Sequence, residues 1–143
     1  MSFWNKIGKK GTSSKNTSAK NYSVIDHLNR NDPVHQFVLG NMYEIGTEVP
    51  QSYTEAAKWY RIAADNGNAD AQDGLGNLYY RGRGVPQSDT EAVKWYRKAA
   101  EQGNRSGLND LGLMYLNGKG VEQSDFEAFR LFKKSAEKGE PEG

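Results

Sequence analysis

Apolar residues in the middle of the chain fall at Ala92, Trp95, Tyr96, Ala99 and Ala100. This spacing of i, i+3, i+4, i+7 and i+8 lays one apolar stripe along an α-helix. Ser88 with Glu91 forms a capping-box signature at its start, and Gly103 supplies a left-handed stop at its end. A second helix precedes it, with Ala71, Leu75, Leu78 and Tyr79 facing inward and Gly82 as its stop. The connection GRGVPQSD is a loop of about eight residues in which Gly and Pro fix the turn and Val85 points back as an anchor.

This helix-turn-helix pattern recurs every 36 residues without an insertion. Gly40, Gly76 and Gly112 align, as do Tyr43, Tyr79 and Tyr115, Val49, Val85 and Val121, and Ala56, Ala92 and Ala128. The capping signature returns as Ser52 with Glu55 and Ser124 with Glu127, and the stop as Gly67 and Gly139. Units of this length cannot bury their apolar faces alone and stack on one another, about three being needed for stability. The expectation is therefore an all-α fold, an α/α superhelical solenoid of three repeats at 32–67, 68–103 and 104–139. A basic tail at 1–22 and a short tail at 140–143 flank it.

A glycine inside a helix costs about 1 kcal/mol relative to alanine. Its return at 40, 76 and 112 predicts that a large side chain crosses there, and Tyr60, Tyr96 and Phe132 of the second helices are the candidates. Residues 23–31, SVIDHLNRN, read as half a repeat. Ser23 with Asp26 resembles another capping box and Asn31 falls in register with Gly67, so an N-terminal capping helix is expected over the first repeat.

These residues resemble the Sel-one-like repeat family, a relative of the tetratricopeptide repeat. The resemblance rests on LGNLYYRGRGV and EAVKWYRKAAEQGN within 75–104 and extends over 32–139. It implies a superhelix whose first helices line a concave surface, in proteins that act as adaptors, scaffolds or inhibitors. Two positions depart from the pattern. Glu48 stands where the other repeats have Gly84 and Gly120, which predicts a different turn, and Leu131 replaces Trp59 and Trp95.

Composition limits the functional classes. The first 22 residues carry Lys6, Lys9, Lys10, Lys15 and Lys20 and no acid; taking these five from the 19 Lys and Arg leaves 14 against 18 Asp and Glu, a net −4 for the rest of the chain. An acidic folded part is a poor match for phosphate, so nucleic acid is not an expected partner. There is no cysteine, no apolar run of membrane-spanning length and no secretion-signal pattern, and the expected location is cytoplasmic. His27 and His35 lie eight residues apart without metal-ligand spacing, and neither a P-loop nor a nucleophile elbow occurs. The glycines of GRGV and GKGV return in register with the repeat and read as turns, not as a phosphate cradle. Trp59 and Trp95 share a stripe with the next aromatic residue and read as core. No catalytic residue, metal or cofactor is assigned; penicillin recognition has been linked to some family members, and no motif here carries that role over.

If the resemblance holds, the concave face takes Val34, Phe37, Asn41, Glu44 and Ile45 from repeat one. Repeat two adds Asp70, Asp73, Asn77, Tyr80 and Arg81, and repeat three Ser106, Asn109, Leu113, Leu116 and Asn117. Amides suit a peptide backbone, and Phe37, Tyr80, Leu113 and Leu116 are costly to leave wet, which favours a protein or peptide partner over a solvated face. An adaptor or scaffold is the leading reading, with an inhibitor such as a toxin-immunity protein, a penicillin-recognising enzyme and a membrane-peripheral scaffold as contrasts. Repeat three gains Phe126 and Phe129 where its counterparts are Thr54 and Thr90, and Ala57 and Val93. These rings either cover a homodimer or partner surface or fold back over the last loop. The Gly, Ser, Thr, Asn and Lys content of the tail points to a disordered, flexible segment, in which Phe3, Trp4 and Ile7 beside Lys6, Lys9 and Lys10 make a small amphipathic cluster; contact with an anionic membrane or an acidic groove is the lesser alternative.

Overall fold

The computed structural model describes residues 23–139. The basic tail with its amphipathic cluster, and 140–143, lie outside the described residues. Six α-helices run in antiparallel pairs: α1 Pro33–Ile45 with α2 Tyr53–Asp65, α3 Ala69–Arg81 with α4 Asp89–Glu101, and α5 Arg105–Asn117 with α6 Asp125–Lys138. Each pair packs on the next through α2 with α3 and α4 with α5, while α1, α3 and α5 lie side by side. This is the α/α solenoid the periodicity predicts.

Local sequence sets each helix. Asp32, Asn68 and Asn104 cap the first helices, each side-chain oxygen accepting a backbone N–H at 2.8 Å. Left-handed Gly46, Gly82 and Gly118 end them. Ser52, Ser88 and Ser124 cap the second helices through the N–H groups of Glu55, Glu91 and Glu127 at 3.1–3.2 Å. The reciprocal half of the capping box is not made. Instead the serine N–H donates to the carbonyl of Tyr43, Tyr79 or Tyr115 at 2.8–3.0 Å, tying the second helix to the aligned tyrosine of the first.

The helices of each pair cross at the predicted glycines. A methyl group on Gly76 would lie 2.6 Å from the Tyr96 ring, and one on Gly112 2.6 Å from Phe132; Gly40 meets Tyr60 in the same way. Tyr43, Tyr60, Leu75, Leu78 and Trp95 anchor one buried cluster, while Tyr96, Leu108, Leu111 and Leu131 anchor a second toward repeat three. Trp95 is 1% exposed and closed to any ligand. Trp59 is half-buried against the first cluster, and Leu131 fills the place of a tryptophan in the second.

Several expectations at the ends of the repeats need correction. Residues 23–31 form a single 3-10 turn, Val24–His27, not an α-helix; Ser23 makes no side-chain cap and Asn31 is not left-handed. The segment still closes the first repeat: Ile25 is buried, Asn29 N–H donates to His35 Nδ1 at 2.7 Å, and Gln36 Nε2 donates to the Arg30 carbonyl at 2.7 Å. Gly67 and Gly103 are left-handed, whereas Gly139 has φ −90° and continues right-handed.

Glu48 turns as its glycine counterparts do, with φ 63° against 73° at Gly84 and 69° at Gly120. The difference lies in what precedes each loop. Gly84 sits against the backbone of Tyr53 and Gly120 against that of Asp89, the N-termini of the preceding second helices, and neither leaves space for a Cβ. Among the described residues no such helix precedes the first loop, a side chain fits there, and Glu48 accepts a 2.5 Å hydrogen bond from Ser23 Oγ. A left-handed conformation costs an L-residue roughly 1–2 kcal/mol, to which the clash adds. Gly84→Ala is therefore expected to lower unfolding stability by about 2 kcal/mol or more, and Glu48→Gly to change it by less than about 1 kcal/mol. Urea denaturation of both variants checks this, and equal effects would contradict the packing account.

Candidate protein-binding groove

α1, α3 and α5 present their outer faces side by side, and the second helices support them from behind. The support alternates with sequence. Tyr60 Oη donates to Glu44 Oε1 at 2.5 Å, and Tyr96 Oη donates to Asn77 Oδ1 at 2.6 Å. The third repeat has Phe132, without a hydroxyl, and its first helix has Leu113 and Leu116 where the others have Asn77 and Tyr80, or Asn41 and Glu44. Burial drives the Tyr60 hydroxyl well above the ordinary phenol range, reinforced by the bond to Glu44. Both tyrosines act as neutral donors.

Between α3 and α5 the surface dips into a depression of about 180 Å³. Asn77, Tyr80 and Arg81 form one wall, Asp110, Leu113 and Asn117 the other, with Tyr96 and Met114 also in the lining. Lys119 closes one end, its Nζ 3.0 Å from Tyr80 Oη and 5.1 Å from the centre of the same ring. Leu113 and Leu116 are 47% and 37% exposed. Polar groups and the uncovered Leu113 thus share one concavity.

Asp73 and Asp110 meet where α3 lies against α5. Asp73 is only 8% exposed and its Oδ1 is buried without a hydrogen-bond partner. Burial, the hydrogen bond to Asp110 and that residue's charge push the Asp73 carboxyl up to about 8. Burial raises Asp110 as well, while the bond from Asp73 and the positive charge of Arg81 oppose the rise. Two bare carboxylates there would repel in a poorly solvated site, so both shifts favour a pair that retains a proton.

A family model for the Sel1 repeat matches residues 36–68, 69–104 and 106–140. The chain belongs to the Sel1 repeat family. Sel1 repeats generally mediate protein–protein interaction, and proteins built from them are generally not enzymes. Among solved structures, this Sel1 chain is similar to c5321, a protective antigen of uropathogenic Escherichia coli with an SLR fold: 30% identity, TM-score 0.79, covering 98% of this chain and 34% of that one. A Sel1 repeat protein from Oxalobacter formigenes is also 30% identical, with TM-score 0.74 and coverage of 95% and 53%. The chain thus spans about a third and about half of these two relatives. Helicobacter pylori cysteine rich protein B shares the fold at 18% identity and TM-score 0.65, covering 97% and 92%. No curated protein matches.

The Sel1 fold distributes the sequence-chosen residues unevenly. Asn77, Tyr80, Arg81, Leu113 and Asn117 converge on the depression. Phe37 is half-buried, stacked 5.7 Å from Tyr60, and Asn41 and Glu44 serve the Tyr60 hydroxyl; these lie on repeat one, away from the depression. Asp70 accepts from Asn104 Nδ2 at 2.9 Å, while Val34, Ile45, Ser106 and Asn109 are exposed without joining the depression. Asp73 corrects the reading most: it lies beneath the surface, not on it, because the close approach of α3 and α5 buries it. Asp110, Tyr96, Met114 and Lys119 were missed. Asp110 is aligned with Gly74, so the repeat itself carried no hint of a carboxylate at that place. Among the described residues no helix is long and apolar enough to cross a membrane.

The shared proton makes stability depend on pH with a definite sign. An unfolded aspartate titrates near about 4, so between there and about 8 the folded state holds a proton that the unfolded state has released. Stability contributed by that proton is full at acidic pH and falls as pH rises through the window, by at most about 1.4 kcal/mol per pH unit. Urea midpoints measured between about pH 5 and about pH 9 should fall for the wild type and fall less for Asp73→Asn, which cannot ionise. Parallel profiles would refute the shared proton.

Proposed function

We propose that this chain is a non-enzymatic adaptor that holds an extended segment of another protein in the concave groove between α3 and α5. The observation that carries the reading is the depression itself, where exposed Leu113 lies beside Asn77, Asn117 and Arg81. Leucines offer apolar anchorage, and amide groups pair with a peptide backbone. Asn77 uses its carbonyl oxygen on Tyr96, which leaves the amide N–H groups as its donors toward a ligand. Arg81 and Lys119 flank the depression with positive charge and Asp110 supplies negative charge, so the bound segment carries polar side chains of both signs around an apolar contact.

A photo-crosslinking amino acid placed at Leu113 should trap a defined partner from native lysate, and one placed at exposed Lys58 on the opposite side of its repeat should not. Burial of a leucine side chain contributes about 1.5–3 kcal/mol, so Leu113→Glu should weaken affinity for the trapped partner by roughly tenfold to a hundredfold. Asn77→Ala should weaken it less. Equal trapping at the two positions, or unchanged affinity in Leu113→Glu, would overturn the groove as the binding face.

A further inference from the structure

A second surface differs from the groove in origin. In repeats one and two, the face of the second helix that looks toward the following repeat is buried: Ala57 and Val93 are 7% and 6% exposed, Ala64 and Ala100 3% and 4%. The equivalent face of α6 carries Phe129 and Ala136, with Phe126 at its edge in the place of the exposed Thr54 and Thr90, and no described element covers it. Phe126 and Phe129 are 75% and 66% exposed, so they do not fold back over the last loop.

The same register of stacking does not accommodate these rings. Between repeats two and three the covering loop brings Gly120 so close that a methyl group on it would lie 2.9 Å from Val93, and the covering helix places Gly107 against Ala99 and Ala100. Phenylalanine in the place of Val93 needs a neighbour set at another angle and distance. The chain's own first repeat does not supply it in a head-to-tail arrangement, because Ile25 and the backbone around Asn29 and Arg30 already occupy the corresponding face of α1.

We infer that a second copy of this chain covers the outer face of α6, the two α6 helices packing antiparallel about a two-fold axis near Phe129. Charge along the helix selects this arrangement. Acidic Asp125 lies one turn before Phe129 and basic Lys133 one turn after it. An antiparallel pair centred on Phe129 sets Asp125 against Lys133 of the second copy, at both ends at once, and lays Phe126 over the Phe132 and Lys133 end of the other helix. A parallel pair would oppose like charges. Four rings that are 75% and 66% exposed in each chain bury about 400–700 Å² in total, and Ala136 with the lysine stems brings the contact toward the low end of specific interfaces, so association is reversible and concentration-dependent.

Sedimentation equilibrium of the full chain tests this. The wild type, 16.0 kDa as a monomer, should approach twice that mass as its concentration rises into the range of about 100 µM, which suits an interface of this size. Phe129→Glu should remain monomeric with an unchanged helical circular-dichroism spectrum, since the ring supports nothing within the chain. Lys133→Glu should weaken dimerisation about tenfold, and Asp125→Lys combined with Lys133→Glu should restore it, because the double exchange re-forms the pairs with signs reversed. A wild type that stays monomeric throughout, a Phe129→Glu variant that still dimerises, or a double variant no better than Lys133→Glu would overturn the proposal. Groove binding is read separately through Leu113, so either idea can fail without the other.

Discussion

The contact on which the structure depends is the crossing of an aromatic ring over a helix that has no side chain at that point. Tyr60 on Gly40, Tyr96 on Gly76 and Phe132 on Gly112 bring each pair of helices close enough for their small residues to touch. Each glycine weakens its own helix by about 1 kcal/mol, and the ring contact outweighs this because an aromatic side chain buries 150–250 Å² or so at a well-packed crossing. With the pair locked, the serine cap of the second helix reaches the tyrosine carbonyl of the first, which fixes the loop between them.

That crossing also shapes the groove. A tyrosine threaded past a glycine emerges with its hydroxyl near the concave face, where Glu44 or Asn77 must accept its proton. Repeat three dispenses with the hydroxyl and can present Leu113 and Leu116 instead. The polarity of the groove therefore changes along the solenoid because the second-helix aromatic changes. Close approach of α3 and α5 has a further consequence in the Asp73 and Asp110 pair, which stays buried only while it keeps a proton.

Departures from the repeat are where individual character enters. Glu48 replaces glycine where, among the described residues, no preceding helix presses on the loop, so its left-handed backbone is strained but not blocked, and it gains a bond to Ser23. Phe129 replaces a small residue on a face that is tightly covered at Ala57 and Val93 of the earlier repeats. Glu48 and Phe129 are both substitutions that an inner position would reject.

The sequence alone was sufficient for the repeat length, the six helices, the crossing glycines and the family, because each rests on short-range rules: helical spacing, caps, and a period long enough to exclude chance. It was also sufficient to place Asn77, Tyr80, Arg81, Leu113 and Asn117 on one face. It misplaced Asp73 and passed over Asp110, since a helical wheel gives direction and not the distance to a neighbouring helix. Only the tertiary structure sets how closely α3 meets α5, and hence which carboxylate is buried, which is partly exposed, and that the pair favours its protonated form. The same limit applies at the N-terminus, where caps and register suggested a helix and Asn31 a left-handed stop. Packing against α1 decided for a single 3-10 turn, because burying Ile25 and satisfying His35 and Gln36 required no more chain than that.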